Sequence, residues 1–326
     1  MTKPLVSVLI LAYNQEEYIA DCLDSALAQQ GDFDFEIVVA EDASVDGTLV
    51  ICREYQRRYP GKIVLLSNQS NRGVVRNYFN ALEHCRGEFI ADCGGDDYWP
   101  DPLRLQKQWK LLVGDPAMSM VYGQWKEQAA ESTGTAQNKE TSWPTLPQYD
   151  PTDFGPQTAA RFLNRVYKPE IVLSTAMYRK SFVLEALRQK PELFLHPDYR
   201  TEDLSVLTAS LLRGPACYLP ECFLVYRVLD NSVSHPRQMD KYYRFALSSF
   251  RQSLDWARHI GLSLGEILSY LQSRYNDYMH YAFTSCDKQL ARALRKSVRE
   301  YAYRPSLKNE IKYYLTCCSL KKPKAL

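Results

Sequence analysis

Four short apolar runs limit what this chain can fold into: VSVLILA from residue 6, FEIVVA from 35, IVLL from 63 and EFIA from 88. Each is nearly continuous rather than alternating, the pattern of a strand covered on both faces. The segments between them read as single helices, so strand and helix alternate along the first hundred residues. That rhythm predicts an α/β fold with a mainly parallel sheet flanked by helices. Ligands of such sheets bind beyond the carboxyl ends of the strands. Those ends carry Tyr13-Asn14, Glu41-Asp42 and the run from Gly94 to Asp97.

Local signals predict further boundaries. Asn14 reads as a helix cap, with Glu16 and Glu17 in a first turn that favours negative charge. Asp101-Pro102 reads as the start of a helix running to about Val113, and MSMVYG as a strand. Residues 124–170 are polar, rich in Pro, Thr and Gln and without clear periodicity, and read as a long loop. IVLSTAMYRK returns to strand character, EDLSVLTASLLRG is helical, and ACYLP and CFLVYRV read as two short strands. From about residue 238 the pattern is helical throughout. Leu290, Leu294, Val298 and Tyr301 form one apolar stripe there, and Leu307, Ile311 and Leu315 another. Both stripes fit packing against the α/β domain, and both fit an interfacial membrane contact.

Composition narrows the class. The 326 residues are 45% apolar and 24% charged, a globular profile with enough length for a sizeable core. The net charge of +2 hides an asymmetry. Residues 237–326 hold 17 of the 40 basic and 7 of the 38 acidic side chains, which leaves the first 236 residues at −8. A basic segment on an acidic body suits an anionic partner such as a membrane surface. The nine scattered cysteines form no C-x-x-C and lie in no ligand spacing with histidine. They argue for a reducing compartment and against structural zinc. The run Leu5 to Tyr13 is too short to span a bilayer and lacks a signal-peptide cleavage site. The expected location is cytoplasmic, or peripheral on a membrane.

Carboxylates at several strand ends of one sheet suit a divalent cation and a nucleotide. Magnesium and manganese bind through one or two carboxylates plus substrate phosphates, and a cation would relieve repulsion between Asp96 and Asp97. No G-x-G-x-x-G follows the first strand, which disfavours a dinucleotide dehydrogenase.

Four ordered blocks, VSVLILAYNQEEYIADCLDSALAQ, FEIVVAEDASVDGT, NRGVVRNYFNALEHCRGEFIA and GGDDYWPDPLRLQKQ, resemble the family 2 glycosyltransferases of the GT-A fold. The resemblance implies a Rossmann-like GT-A catalytic domain over residues 1–236 and a basic helical extension over 237–326. It implies inverting transfer of a sugar from a nucleotide-sugar, typically a UDP-sugar, to a hydroxyl of a glycan or lipid-linked acceptor. The implied setting is synthesis of a bacterial surface polysaccharide or lipopolysaccharide.

Residue by residue, the resemblance places Ala12, Tyr13 and Asn14 along the nucleotide pocket, with Glu16 nearby. Asp42 matches the acid that reads the nucleobase, and Glu41 stands where the family usually has another Asp. Asp46 reads as a helix cap. Asp96 matches the last acid of the family's acid-x-Asp metal motif, but Gly94 occupies the first acid position, so a Mn2+ or Mg2+ ion would rest on Asp96 with Asp97 or another group. Asp92 lies two residues along the strand, about 7 Å from the missing acid. Gly94 and Gly95 allow close approach of backbone to a phosphate or sugar. The motif YRTEDLSVL supplies the acceptor-side base, Asp203 or alternatively Glu202. Arg227 and His235 match a segment that closes over the donor diphosphate or metal, and Arg72 and Arg76 are surface or phosphate-steering groups. The alternative is a non-catalytic nucleotide-sugar-binding or scaffolding homologue, for which Gly94 is the support.

Overall fold

The computed structural model describes residues 5–129, 144–229, 238–299 and 301–318. These fall in two compact units, Met1–Ala159 with Lys168–Leu229, and Ala160–Tyr167 with Asp230–Leu326.

The first unit is built on one eight-stranded sheet. Its strands are β1 (Val6–Ala12), β2 (Phe35–Glu41), β3 (Ile63–Ser67), β4 (Phe89–Gly94), β5 (Met120–Ala129), β6 (Gln148–Tyr149), β7 (Met177–Arg179) and β8 (Ala216–Val228). The order is β3-β2-β1-β4-β7-β5-β8-β6. β3, β2, β1 and β4 are mutually parallel, and so are β5 and β8; β7 joins the halves antiparallel to both neighbours. The apolar runs form the core as their continuity requires: Val6, Val8, Ile10, Ile37 and Val39 have no exposed surface. Helices α1 (Ile19–Leu27), α2 (Thr48–Arg58), α3 (Val74–His84), α4 (Arg104–Gly114), α6 (Lys180–Gln189) and α7 (Asp203–Arg213) belong to this unit, and α5 (Pro156–Leu163) is divided between the two after Ala159.

Several boundaries differ from the expectation. α1 starts at Ile19 rather than after Asn14, because the Asn14 side chain is engaged elsewhere. The residues read as a loop from 124 contain six residues of β5, all of β6 and all of α5. ACYLP and CFLVYRV are one strand, β8. Its register against β5 slips between Tyr122 and Trp125, and that irregularity accommodates Pro220 without breaking the strand.

The second unit is helical: α8 (Met239–His259), α9 (Leu264–Thr284), α10 (Lys288–Arg299) and α11 (Leu307–Cys318). Ser263 opens α9 with a reciprocal cap, its hydroxyl accepting from the Glu266 N–H while Glu266 accepts from the Ser263 N–H. The α10 stripe packs inward, with Leu290, Leu294 and Val298 at most 2% exposed. The α11 stripe does not: Leu307, Ile311 and Leu315 are exposed. Among the described residues no helix is long and apolar enough to cross a membrane.

Candidate active site

The parallel strands end level with one another. Ala12 pairs with Glu41 across β1 and β2, and Leu11 with Gly94 across β1 and β4. Beyond that edge the loops after β1 and β2 are clasped together. The Asn14 N–H donates to the Ser44 hydroxyl and the Val45 N–H donates to Asn14 Oδ1. The Glu16 N–H donates to Asp46 Oδ2, and the Gly47 N–H donates to Glu16 Oε2. Asn14 holds a positive φ of 53° to make this clasp. Asp46 also accepts from the Thr48 N–H at the start of α2, and its hydrogen bonds hold its pKa down against a raising effect of burial. Tyr13 projects outward, 44% exposed.

Glu41 and Asp42 behave differently although adjacent. Glu41 is fully buried; its Oε1 accepts from the Ser44 N–H and its Oε2 has no hydrogen-bond partner. Asp42 accepts three hydrogen bonds, from Asn68 Nδ2 and the Arg72 N–H on Oδ1, and from the Gly73 N–H on Oδ2. It therefore anchors the turn that leads into α3. A carboxylate offers about four acceptor positions, so one on Oδ2 is left for a ligand N–H.

At the end of β4 the chain turns through Gly94, Gly95, Asp96 and Asp97. A Cβ on Gly94 would stand 2.8 Å from Asp96 Oδ1 and 3.2 Å from Asp97 Oδ2. The space of the missing acid is thus taken by two carboxylates that fold back over the strand end. Gly95 is equally constrained, since a Cβ there would lie 2.8 Å from the Leu11 carbonyl and 2.4 Å from Gln15 Oε1. Burial raises the pKa of Asp96. Burial and then the charge of Asp96 raise Asp97 further. Two carboxyls so placed cannot both ionise without a nearby cation. Arg227 supplies part of that charge. Its N–H donates to Asp97 Oδ1 (2.9 Å) and its Nη1 to the Asp96 carbonyl (3.0 Å). Its guanidinium also pairs with Asp21 and lies over the rings of Tyr18 and Tyr98. Arg227 is thus tied to the turn by both its backbone and its guanidinium.

A second acid group lies on the α3 face of β4. Asp92 is 4% exposed and neither carboxyl oxygen has a hydrogen-bond partner. The Tyr78 hydroxyl, which lies near it, is bonded to that of Tyr178 at 2.5 Å. Burial drives Asp92 well above the usual carboxylate range, and the charge of Asp203 adds to the shift. Glu202 precedes α7 and Asp203 opens it. Glu202 is partly open as a residue, but its carboxyl lies inside. Burial, then Asp203, then Asp92 push its pKa well up. Asp203 is exposed. The structure thus brings together Asp92, Glu202 and Asp203, a grouping that spacing alone did not show.

The opposite edge of the sheet makes a control. Glu36, 1% exposed near the start of β2, is fully satisfied by the Ser7 hydroxyl, the Arg86 N–H and Arg86 Nε. Toward the carboxyl edge, by contrast, Glu41 Oε2 and both Asp92 oxygens have no such partner. Of the other candidates, Arg76 is exposed on α3, and Arg72 contributes its backbone N–H to Asp42. His235 lies outside the described residues. Gln15 was not foreseen: it takes the Tyr13 N–H on its Oε1 and helps hold Asp96 ionised. No group of three or more His, Cys, Asp or Glu suited to a metal occurs among the described residues. The pair at Asp96 and Asp97, over a glycine cradle, fits a cation that takes one or two carboxylates and completes its shell with phosphate.

The chain is similar to several known proteins. An uncharacterized Mycobacterium tuberculosis protein is 44% identical over 36% of this chain and 34% of its own length, so the match spans about a third of that relative. TuaG of Bacillus subtilis, named for teichuronic acid biosynthesis, is 27% identical over 71% of this chain and 82% of its own. The crystal structure of S. aureus TarS 1-349 in complex with UDP-GlcNAc shares the fold. Its TM-score is 0.59 at 15% identity, covering 96% of this chain and 90% of that one. The sequence model described as glycosyl transferase family 2 matches residues 7–184. That match takes in the clasped loops, the Gly94 turn and Asp92, and by it the chain belongs to glycosyl transferase family 2.

Proposed function

We propose that the protein is an inverting glycosyltransferase. It moves a sugar from a nucleotide-sugar, a UDP-sugar foremost, to a hydroxyl of a glycan or lipid-linked acceptor in bacterial surface polysaccharide or lipopolysaccharide synthesis. The observation that carries the reading is the pair of incompletely neutralised acid groups on one strand, Asp96-Asp97 at the end of β4 and Asp92 beside Glu202-Asp203. TuaG's role in its name and the UDP-GlcNAc bound to TarS support the product class and the donor.

Ala12, Tyr13 and Asn14 line the nucleoside site, Asp42 offers its remaining acceptor position to the uracil N–H, and Glu41 and Glu16 hold the loops around it. Asp96 and Asp97 would hold Mn2+ or Mg2+, which when bound supplies charge to the leaving diphosphate. Asp203 takes the proton of the acceptor hydroxyl as that oxygen bonds to the anomeric carbon. The bond from that carbon to the diphosphate oxygen breaks on the opposite side, which inverts the centre. Burial pushes the Glu202 carboxyl well up while Asp203 stands exposed at the start of α7, and this supports Asp203 as the base. The basic second unit is read as resting at the inner face of the membrane, where a lipid-linked acceptor would be presented.

Thermal melting with UDP, GDP, CMP and TDP, each with and without manganese, tests the reading. Ligand at 100 times its dissociation constant adds about 2.7 kcal/mol. Stabilisation by UDP with manganese, followed by UDP release from a UDP-sugar when acceptor is added, is expected. If no nucleotide shifts the melt, the transferase reading fails and a scaffolding homologue replaces it.

A further inference from the structure

α11 is inverted for a helix of a water-soluble unit. It packs on α9 and α10 through polar groups: Asn309, 3% exposed, bonds Asn276 of α9, Thr316 is 1% exposed, and Glu310 pairs with Arg295 of α10 at 2.7 Å. The large apolar side chains point the other way. Leu307, Ile311, Tyr314 and Leu315 are 77%, 50%, 58% and 55% exposed. At 3.6 residues per turn these four and Cys318 fall within about 100° of arc, and Cys318 is exposed with them. Contiguous exposed apolar surface of this kind marks an interaction site. The α10 stripe, of the same pattern, is buried, so exposure is a property of α11 and not of the segment.

The charge around this face selects its partner. Lys308 and Lys312 border the arc, and their mutual repulsion contributes, after burial, to holding Lys312 below its usual pKa. The helix has one acid, Glu310, already neutralised by Arg295. The sequence that follows, SLKKPKAL, adds three lysines. An apolar stripe bordered by lysines, on a segment of net charge +10, is the complement of an anionic lipid surface. We infer that α11 lies flat on a bilayer rich in anionic phospholipid, with Leu307, Ile311, Tyr314 and Leu315 inserted among the headgroups. The inference rests on the membrane reading above and gives it an address; it does not depend on the transfer reaction.

The test uses the full-length protein and vesicles of phosphatidylcholine with and without 30% phosphatidylglycerol, in co-sedimentation at low and high salt. Wild type is expected to bind the anionic vesicles and to release at high salt. Ile311→Ser with Leu315→Ser, at exposed positions, is expected to melt like wild type and to lose at least tenfold in partitioning. Lys308→Gln with Lys312→Gln is expected to lose roughly fivefold per lysine on anionic vesicles and nothing on neutral ones. If wild type binds but the serine variant binds equally, α11 is not the contact and the membrane reading stands alone. If wild type does not bind, both fail. A dimer in light scattering that the serine variant dissociates would assign the face to a second copy and overturn the inference.

Discussion

Replacing Arg227 by methionine isolates the electrostatics of the Gly94 turn. Methionine keeps an apolar stem between Tyr18 and Tyr98 and removes only the guanidinium, and the backbone N–H to Asp97 survives. The charged hydrogen bond to the Asp96 carbonyl is worth about 1.5–3 kcal/mol. The pair with Asp21, whose side chain is 62% exposed, adds less than about 1, and the two tyrosine faces about 0.5–1 each. These contributions share one group and do not add fully, so we expect a loss of about 3 kcal/mol at pH 8. The loss depends on pH. Asp96 and Asp97 have folded pKa values raised above the ordinary carboxylate value, with burial the first cause and Arg227 opposing it. A carboxyl with a raised folded pKa gives stability that is present below its unfolded pKa, near 4, and is lost as pH rises through the folded value. Removing Arg227 raises both folded values further and deepens that loss. Urea denaturation at pH 5 and pH 8 is therefore expected to show a smaller deficit at pH 5, by about 1 kcal/mol or more. Equal deficits at the two pH values, or a larger one at pH 5, would refute the idea that Arg227 serves the acid pair.

The other predictions concern the same two acid groups. Asp203→Asn is expected to slow sugar transfer by about a hundredfold or more while UDP binding persists. Glu202→Gln, at a carboxyl whose pKa burial pushes up, should keep most of the rate; near-normal turnover by Asp203→Asn in single-turnover assays would remove its assignment as base. Asp97→Asn keeps the acceptor for the Arg227 N–H but relieves the repulsion. It should gain about 1 kcal/mol at pH 8 in the absence of metal and lose manganese affinity by at least tenfold in calorimetric titration. Asp92→Asn should melt closest to the wild-type temperature at low pH. It should exceed wild type increasingly as pH rises, because the raised folded pKa makes the wild-type acid lose stability in that direction; parallel melting curves across pH 5–9 would show that Asp92 does not titrate as described.

Much of the first unit was legible in sequence because strands buried on both faces leave continuous apolar runs. β1 to β4 and the carboxyl edge carrying Glu41, Asp42 and Asp96 followed from them. The misses have physical causes. Asn14 has the chemistry of a helix cap, but its oxygen serves Val45, 31 positions away, and no local pattern reports that bond. Pro220 reads as a strand breaker, yet a register slip lets β8 run through it. Asp92 looked too far from the Gly94 position to matter there, and the fold sets it one pleat further back on the same face, beside Glu202 and Asp203. The stripes of α10 and α11 have the same spacing, and only packing distinguishes the buried one from the exposed one.

Asp42 has a consequence for how this chain can change. Its carboxylate holds the turn at Arg72 and Gly73 through which α3 begins, and it is the group proposed to read the nucleobase. A substitution that retunes the choice of base also releases those N–H groups, so nucleotide preference and foldability vary together. Asp97, at the other end of the site, is tied to its turn by a single backbone N–H, that of Arg227. A lineage descended from this sequence, or an engineer working on it, would have to re-anchor the α3 turn before retuning the base that Asp42 is proposed to read.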